Sequence, residues 1–185
     1  MRRLLKWSGG GVLVVITFAI LFRGPLFRLC FHFQHLREIG IGASQPDVRP
    51  GHHGEKDIDP GIGSCIDEAL AATAASLEFT TGPAPNDASG ALAAHKANCV
   101  GYAAVFQRLC TDLLSEKGLS AGWRVRHVRG LLYCGTFNLH RMARSPFWKD
   151  HDICVVENRM TGQRTYVDPS LFDALRIRRV TGPLN

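Results

Sequence analysis

The segment NCVGYAAVFQRLC, from Asn98 to Cys110, has the spacing of apolar residues that is typical of an amphipathic helix. Asn98 is a good N-cap residue, and the helical pattern continues to about Lys117, where Gly118 ends it. A cysteine, Cys99, stands at the start of this helix, where the helix dipole favours a thiolate. Cys99 is therefore either a small core residue or a nucleophile, and the rest of the chain has to distinguish the two.

Helices are predicted before this segment and strands after it. One helix is predicted from Ser64 to about Phe79, opened by Ser64 as a cap, and another near Ala91. The later segments GWRVRHVRGLLYC, HDICVVEN and RTYVDPS have the composition and alternation of strands, and the last two are joined by the short turn RMTG. This order predicts an α+β domain with helices packed on an antiparallel sheet.

Two further residues fit the chemistry of a thiol nucleophile. His151 opens one predicted strand and Asp168 ends the next, so a short antiparallel connection places them side by side. A free cysteine has a pKa near ~8.5 and needs an imidazole to take its proton, and a carboxylate then orients that imidazole. We therefore predict Cys99, His151 and Asp168 as a catalytic triad.

The blocks NCVGYAAVFQRLC, HDICVVEN and TYVDPSLFD, in this order, resemble the signature blocks of the transglutaminase-like superfamily of Cys-His-Asp thiol hydrolases. This superfamily shares its catalytic logic with papain-type proteases, and the resemblance covers about residues 64–173. It implies a cysteine peptidase, amidase or acyltransferase in which Cys99 attacks an amide or peptide bond. Asp152 and Ile153 depart from the Ala-Trp that commonly follows the histidine. The long connection from Tyr133 to Asp150 suggests a lid or substrate loop.

No cofactor and no metal are predicted. The acidic clusters of a calcium-dependent crosslinking enzyme are absent from the sequence, as is any C-x-x-C or H-x-x-x-H spacing. The expected partner is a protein or peptide substrate. The alternative function is a catalytically silent domain of the same fold that binds a peptide or partner in a membrane complex.

The N-terminus predicts a membrane anchor. MRRLLK is followed by the uncharged segment Trp7–Phe22, and no small-residue cleavage site follows it, which favours an uncleaved signal-anchor over a signal peptide. We predict an anchor at 1–24, an amphipathic membrane-proximal helix and a linker at 25–63, and the transglutaminase-like domain at 64–185. The predicted localisation is single-pass membrane, with the C-terminal domain on the non-cytoplasmic (periplasmic or extracellular) side.

The chain has a formal net charge of +6, and its arginines are densest in two groups. The groups are Arg124, Arg126 and Arg129, and Arg176, Arg178 and Arg179. No nucleic-acid-binding motif accompanies them, so we predict no nucleic-acid partner and a solvated strand face for the first group.

Six cysteines are present, and two of them lie on predicted strands. Pairing of those strands predicts that Cys134 and Cys154 are neighbours. They then form a disulfide if the domain lies outside the cytoplasm.

Overall fold

The computed structural model describes residues 17–18, 20–39, 59–142 and 150–183. Within these residues the helices are α1 (Arg23–Cys30), α2 (Pro60–Ser76), α3 (Ala88–Ala94), α4 (Cys99–Glu116) and α5 (Pro169–Leu175), with a 3-10 helix at Leu139–Met142. The strands are β1 (Phe31–Glu38), β2 (Glu78–Phe79), β3 (Lys96–Ala97), β4 (Trp123–Cys134), β5 (Phe137–Asn138), β6 (His151–Asn158) and β7 (Arg164–Val167).

The main sheet is antiparallel and has the order β1-β4-β6-β7, with β5 paired to the end of β4. A small parallel pair, β2 and β3, lies apart from it. The predicted α+β class with helices on an antiparallel sheet is confirmed. Short connections between β6 and β7 bring the start of β6 and the end of β7 to the same end of the sheet.

Each face of the main sheet is covered by a different set of residues. On one face, α2 and α4 form a core with β4, β6 and β7 that includes Phe106, Trp123 and Val156. On the other face, Phe33 of β1 and the segment after α5 cover Ile153 and Val155. Residues of β6 alternate between the two cores, as the two-residue period of a strand requires.

The N-terminal part of the sheet differs from the sequence prediction. The helix predicted from residue 25 to 40 ends at Cys30, and Phe31–Glu38 forms β1 instead, paired with β4. Its apolar spacing fits a short helix and a strand equally well, and pairing with the long strand β4 satisfies its backbone. The sheet therefore includes a strand from the segment that we assigned to a membrane-proximal helix. Likewise α2 begins at Pro60, capped by Asp59, and not at Ser64.

The predicted proximity of Cys134 and Cys154 is wrong. The register of β4 and β6 places Cys154 opposite His127, while Cys134 pairs with Phe31 and Phe137. Seven residues of extended chain separate His127 from Cys134, roughly 23 Å at the usual rise. Both cysteines are free thiols.

The solvated strand face predicted for the first arginine group is correct for Arg124, which is exposed, and wrong for Arg126. Arg126 has a side chain only 8% exposed, and with Arg124 it pairs with the buried carboxylate of Glu157. Arg129 points to the opposite face and pairs with Asp152. Buried acidic residues on the neighbouring strand β6 explain why Arg126 and Arg129 turn inward, because a buried carboxylate needs a charged partner.

Most of the predicted membrane anchor, residues 1–24, lies outside the described residues, which include 17–18 and 20–24 of it. Within the described ranges, no helix is both long enough and apolar enough to cross a membrane.

The start of α4 is closely packed, and this yields a stability prediction. A Cβ at Gly101 would lie 2.7 Å from the Cβ of Ala97 and 3.0 Å from the carbonyl oxygen of Pro85. We expect Gly101→Val to lower the free energy of unfolding by about 1–3 kcal/mol, the usual cost of overpacking. The measurement is urea unfolding of the full chain.

The matched control is Gly63→Ala in α2, where no atom lies within 4 Å of the added Cβ. It should raise stability by about 0.5–1 kcal/mol through helix propensity. Equal effects of the two substitutions would contradict this packing.

Candidate active site

Asp168 is fully buried at the junction of β7 and α5, where it caps the helix. Its Oδ1 accepts hydrogen bonds from the backbone N–H groups of Ser170 (3.1 Å) and Leu171 (3.0 Å) and from the Ser170 hydroxyl (2.7 Å). Pro169 at the first helical position suits this geometry, because it has no N–H that would need a partner. The capping bonds fix the carboxylate, and they leave Oδ2 for another donor.

His151 supplies that donor from the first residue of β6. Its Nε2 lies 2.7 Å from Oδ2 of Asp168, and its side chain is 21% exposed. The ring of Phe33 stacks beside the imidazole, with centroids 5.8 Å apart. A buried carboxylate bonds one ring nitrogen of His151, and an aromatic ring packs against a face of the imidazole. The orientation of the imidazole is therefore fixed, while part of the ring remains exposed to solvent.

Cys99 is the first residue of α4 and is 7% exposed. The side-chain oxygen of Asn98 accepts from the backbone N–H groups of Val100 (3.0 Å) and Gly101 (3.3 Å), which confirms the predicted N-cap. The Cys99 side chain lies close enough to the imidazole of His151 to contribute to the raised pKa of that ring. Because Asp168 occupies Nε2, Nδ1 is the ring nitrogen that remains for the thiol. The structure thus brings all three predicted site residues together.

The electrostatics of the pair follow from this geometry. Burial disfavours the charged imidazole of His151, but the charge and hydrogen bond of Asp168, together with the Cys99 side chain, raise its pKa well above the ordinary value. Burial likewise works against the carboxylate of Asp168, yet the charge of His151 and the capping hydrogen bonds lower its pKa. A protonated imidazole beside a carboxylate is the state that this arrangement favours.

The other buried cysteines have a different environment. Cys65, Cys110 and Cys154 are fully buried in the core between the helices and the sheet. Burial raises the pKa of Cys110 to about 12 and that of Cys154 well above its usual range, and the Cys154 thiol donates to the carbonyl of Ala103 at 3.3 Å. These are structural thiols.

A second histidine–aspartate pair lies next to the site and was missed. Nε2 of His127 lies 2.8 Å from Oδ2 of Asp152, and Nε of Arg129 donates to Oδ1 of the same carboxylate at 2.6 Å. Hydrogen bonds to Asp152 raise the pKa of Arg129, and the nearby charge of Cys99 makes a smaller contribution to this rise. Alternation along β6 points Asp152 to the face opposite His151. An acidic residue inside a buried strand needs a charged or hydrogen-bonding partner, and Asp152 could therefore have predicted this pair from the sequence.

Two more residues shape the site through contacts that the sequence did not predict. Gly130 lies opposite His151, and a Cβ there would lie 2.4 Å from a Leu36 methyl group and 3.0 Å from the carbonyl oxygen of Gln34, so a glycine here lets β1 lie close. Tyr102 donates to the carboxylate of Asp173 at 2.7 Å and so joins α4, which carries Cys99, to α5.

No group of three or more metal-ligating side chains that could hold an ion occurs among the residues that the structure describes. Residues 143–149, in the predicted lid or substrate loop, lie outside the described residues.

The three segments that form this site are those on which the resemblance to transglutaminase-like hydrolases rests. Comparison of the chain with protein-family models, with curated proteins and with solved structures gives no match. The resemblance therefore stays a prediction.

The pairing of His151 with Asp168 predicts a defined pH window of stabilisation. Because folding raises the pKa of His151, the charged imidazole stabilises the folded state fully below the ordinary pKa of histidine, near ~6.5. This stabilisation is lost as pH rises through the raised pKa. The lowered pKa of Asp168 gives stability that is complete above its ordinary value near ~3.9 and is lost as pH falls through the lowered pKa. Asp168→Asn, which keeps the capping oxygen, should cost about 1.5–3 kcal/mol between roughly pH 4 and 6.5, and less outside it.

The test measures urea unfolding across pH for wild type, Asp168→Asn, His151→Gln and the double variant. The pH-dependent cost of Asp168→Asn should disappear in the His151→Gln background, since the interaction has lost its other partner. The same cost in both backgrounds would mean that Asp168 acts as a helix cap and nothing more.

Proposed function

We propose that the protein is a membrane-anchored, transglutaminase-like thiol hydrolase that cleaves an amide or peptide bond through Cys99, His151 and Asp168. The single observation that carries the proposal is the imidazole of His151, bonded on Nε2 to a buried carboxylate and close to a cysteine at a helix start. Each of the three positions supplies one of the roles that thiol catalysis requires.

In the proposed reaction the thiol proton of Cys99 already lies on Nδ1 of His151, so the nucleophile is the thiolate of a thiolate–imidazolium pair. The sulfur then attacks the substrate carbonyl carbon, and the backbone N–H of Cys99 donates to the oxyanion. The C–N bond breaks as the imidazolium of His151 protonates the leaving amine, which leaves a thioester on Cys99. Water, or an amine in an acyltransferase, then attacks the thioester carbonyl as it gives a proton to Nδ1 of His151. The C–S bond breaks, the acid or the new amide leaves, and the thiolate–imidazolium pair of the resting enzyme is restored.

Asp168 has a positioning role in this scheme. Its buried carboxylate holds the imidazole with Nδ1 towards the thiol and stabilises the imidazolium. The capping bonds from Ser170 and Leu171 prevent the carboxylate from turning away. The membrane location and the non-cytoplasmic side of the domain belong to the proposal and rest on the N-terminal sequence.

The alternative is a catalytically silent domain that binds a peptide or partner in a membrane complex. The low exposure of Cys99 favours it, because a substrate carbonyl needs access to the sulfur. Thiol chemistry distinguishes the two functions, since a silent domain has no need of a thiolate.

Alkylation at acidic pH tests the proposal. Cys30 and Cys134 are exposed, so Cys30→Ser/Cys134→Ser leaves Cys99 and three fully buried thiols. In this background, iodoacetamide at pH 5.5 should add one group, on Cys99, as read by peptide mass spectrometry. An ordinary thiol is only about 0.1% thiolate at that pH, so the rate should fall roughly 10- to 100-fold in His151→Ala.

The matched control is His127→Ala, which removes a buried histidine that is bonded to a different aspartate, without touching the proposed base. It should leave the alkylation rate within about threefold of the background protein. Cys99 that reacts only at alkaline pH, or at a rate independent of His151, would reject the hydrolase and favour the silent domain. Peptide hydrolysis that is lost in Cys99→Ala would then identify the activity directly.

A further inference from the structure

An arginine-lined cleft lies where the chain leaves the predicted anchor. Its volume is about 440 Å³, and it opens between the start of α1 and the segment that follows α5. The charged residues that line it are Arg23, Arg28, Arg176, Arg178, Arg179 and Asp67. Five arginines against one aspartate leave a surplus of four positive charges in one concave surface.

Three of these arginines, Arg176, Arg178 and Arg179, are little neutralised within the described part of the chain. Arg178 approaches Asp67 at 3.4 Å, with both side chains exposed. The Arg176 guanidinium lies over the Phe172 ring, and neither Arg176 nor Arg179 has an acidic partner in the described ranges. Clustered guanidinium groups repel one another unless an anion joins them, and phosphate oxygens match their planar donors best. The chemistry of the cleft is therefore that of a phosphate site.

The position of the cleft indicates the source of the phosphate. Arg23 donates through Nε to the Leu175 carbonyl and through a terminal nitrogen to the Ile20 carbonyl, so it ties the chain after the anchor to the end of α5. Large apolar side chains at the same end are exposed, including Leu21, Leu29 (82%) and Leu175. Basic residues beside exposed apolar ones are typical of a surface that rests on anionic lipid headgroups.

We propose that this cleft binds the phosphate of an anionic phospholipid headgroup and so seats the domain against the membrane. The inference goes beyond the proposed hydrolysis and uses none of its residues. The arginines Arg176, Arg178 and Arg179 then have a ligand, whereas the sequence alone gave that group no role.

Short-chain lipids allow a test that does not depend on the anchor. The full chain in a non-ionic detergent is titrated with dihexanoyl phosphatidylglycerol, dihexanoyl phosphatidylcholine or inorganic phosphate. We expect phosphatidylglycerol to bind at least tenfold more tightly than either of the others, and more weakly as salt rises. Arg178→Gln/Arg179→Gln should weaken that binding about 30-fold, which corresponds to two contacts of about 1 kcal/mol each.

The matched control, Arg37→Gln/Arg108→Gln, removes the same charge from exposed positions outside the cleft and should bind as wild type does. Urea unfolding without lipid verifies that each variant is folded. If the double variant does not fold, Arg179→Gln alone replaces it, and its affinity for phosphatidylglycerol should fall about fivefold. Equal affinity for inorganic phosphate would reassign the cleft to a free phosphate. Equal affinity for phosphatidylcholine, or no effect of the cleft variants, would overturn the proposal.

Discussion

The buried carboxylate of Asp168 is the constraint on which the site depends. A fully buried charge is tolerated only when its oxygens are hydrogen-bonded and a cation lies near. Oδ1 meets this need by capping α5, and Oδ2 meets it by accepting from His151. The start of α5, the end of β7 and the start of β6 are therefore fixed relative to one another by one side chain.

The polar side chains at the start of β6 point alternately to the two faces of the sheet. His151 faces Phe33 and Asp168, while the next residue, Asp152, faces His127 and Arg129. Cys99 interacts electrostatically with both His151 and Arg129, so the first turn of α4 lies near both clusters. The thiol is therefore near an imidazole and near a guanidinium that is bonded to its own carboxylate.

Several sequence predictions were wrong because the structure of a segment depended on which strand or charged residue it pairs with. Apolar spacing between residues 25 and 40 fits a helix, but β4 offers an unpaired strand edge, and Phe31–Glu38 pairs with it. The strand cysteines were expected to be neighbours, yet the register separates them, because strand identity does not fix strand alignment. Arg126 was expected in solvent, and the buried Glu157 on the adjacent strand draws it inward.

The sequence by itself determined the local elements and the identity of the three candidate site residues. Capping residues, apolar periodicity and a short turn are local signals, so α4, β6 and β7 and the positions of Cys99, His151 and Asp168 on them could be predicted. Only the tertiary structure decided which atoms meet. Phe33 beside His151, the pair of His127 with Asp152 and the arginine cleft each join residues distant in sequence, and such contacts depend on register and packing that no local pattern encodes.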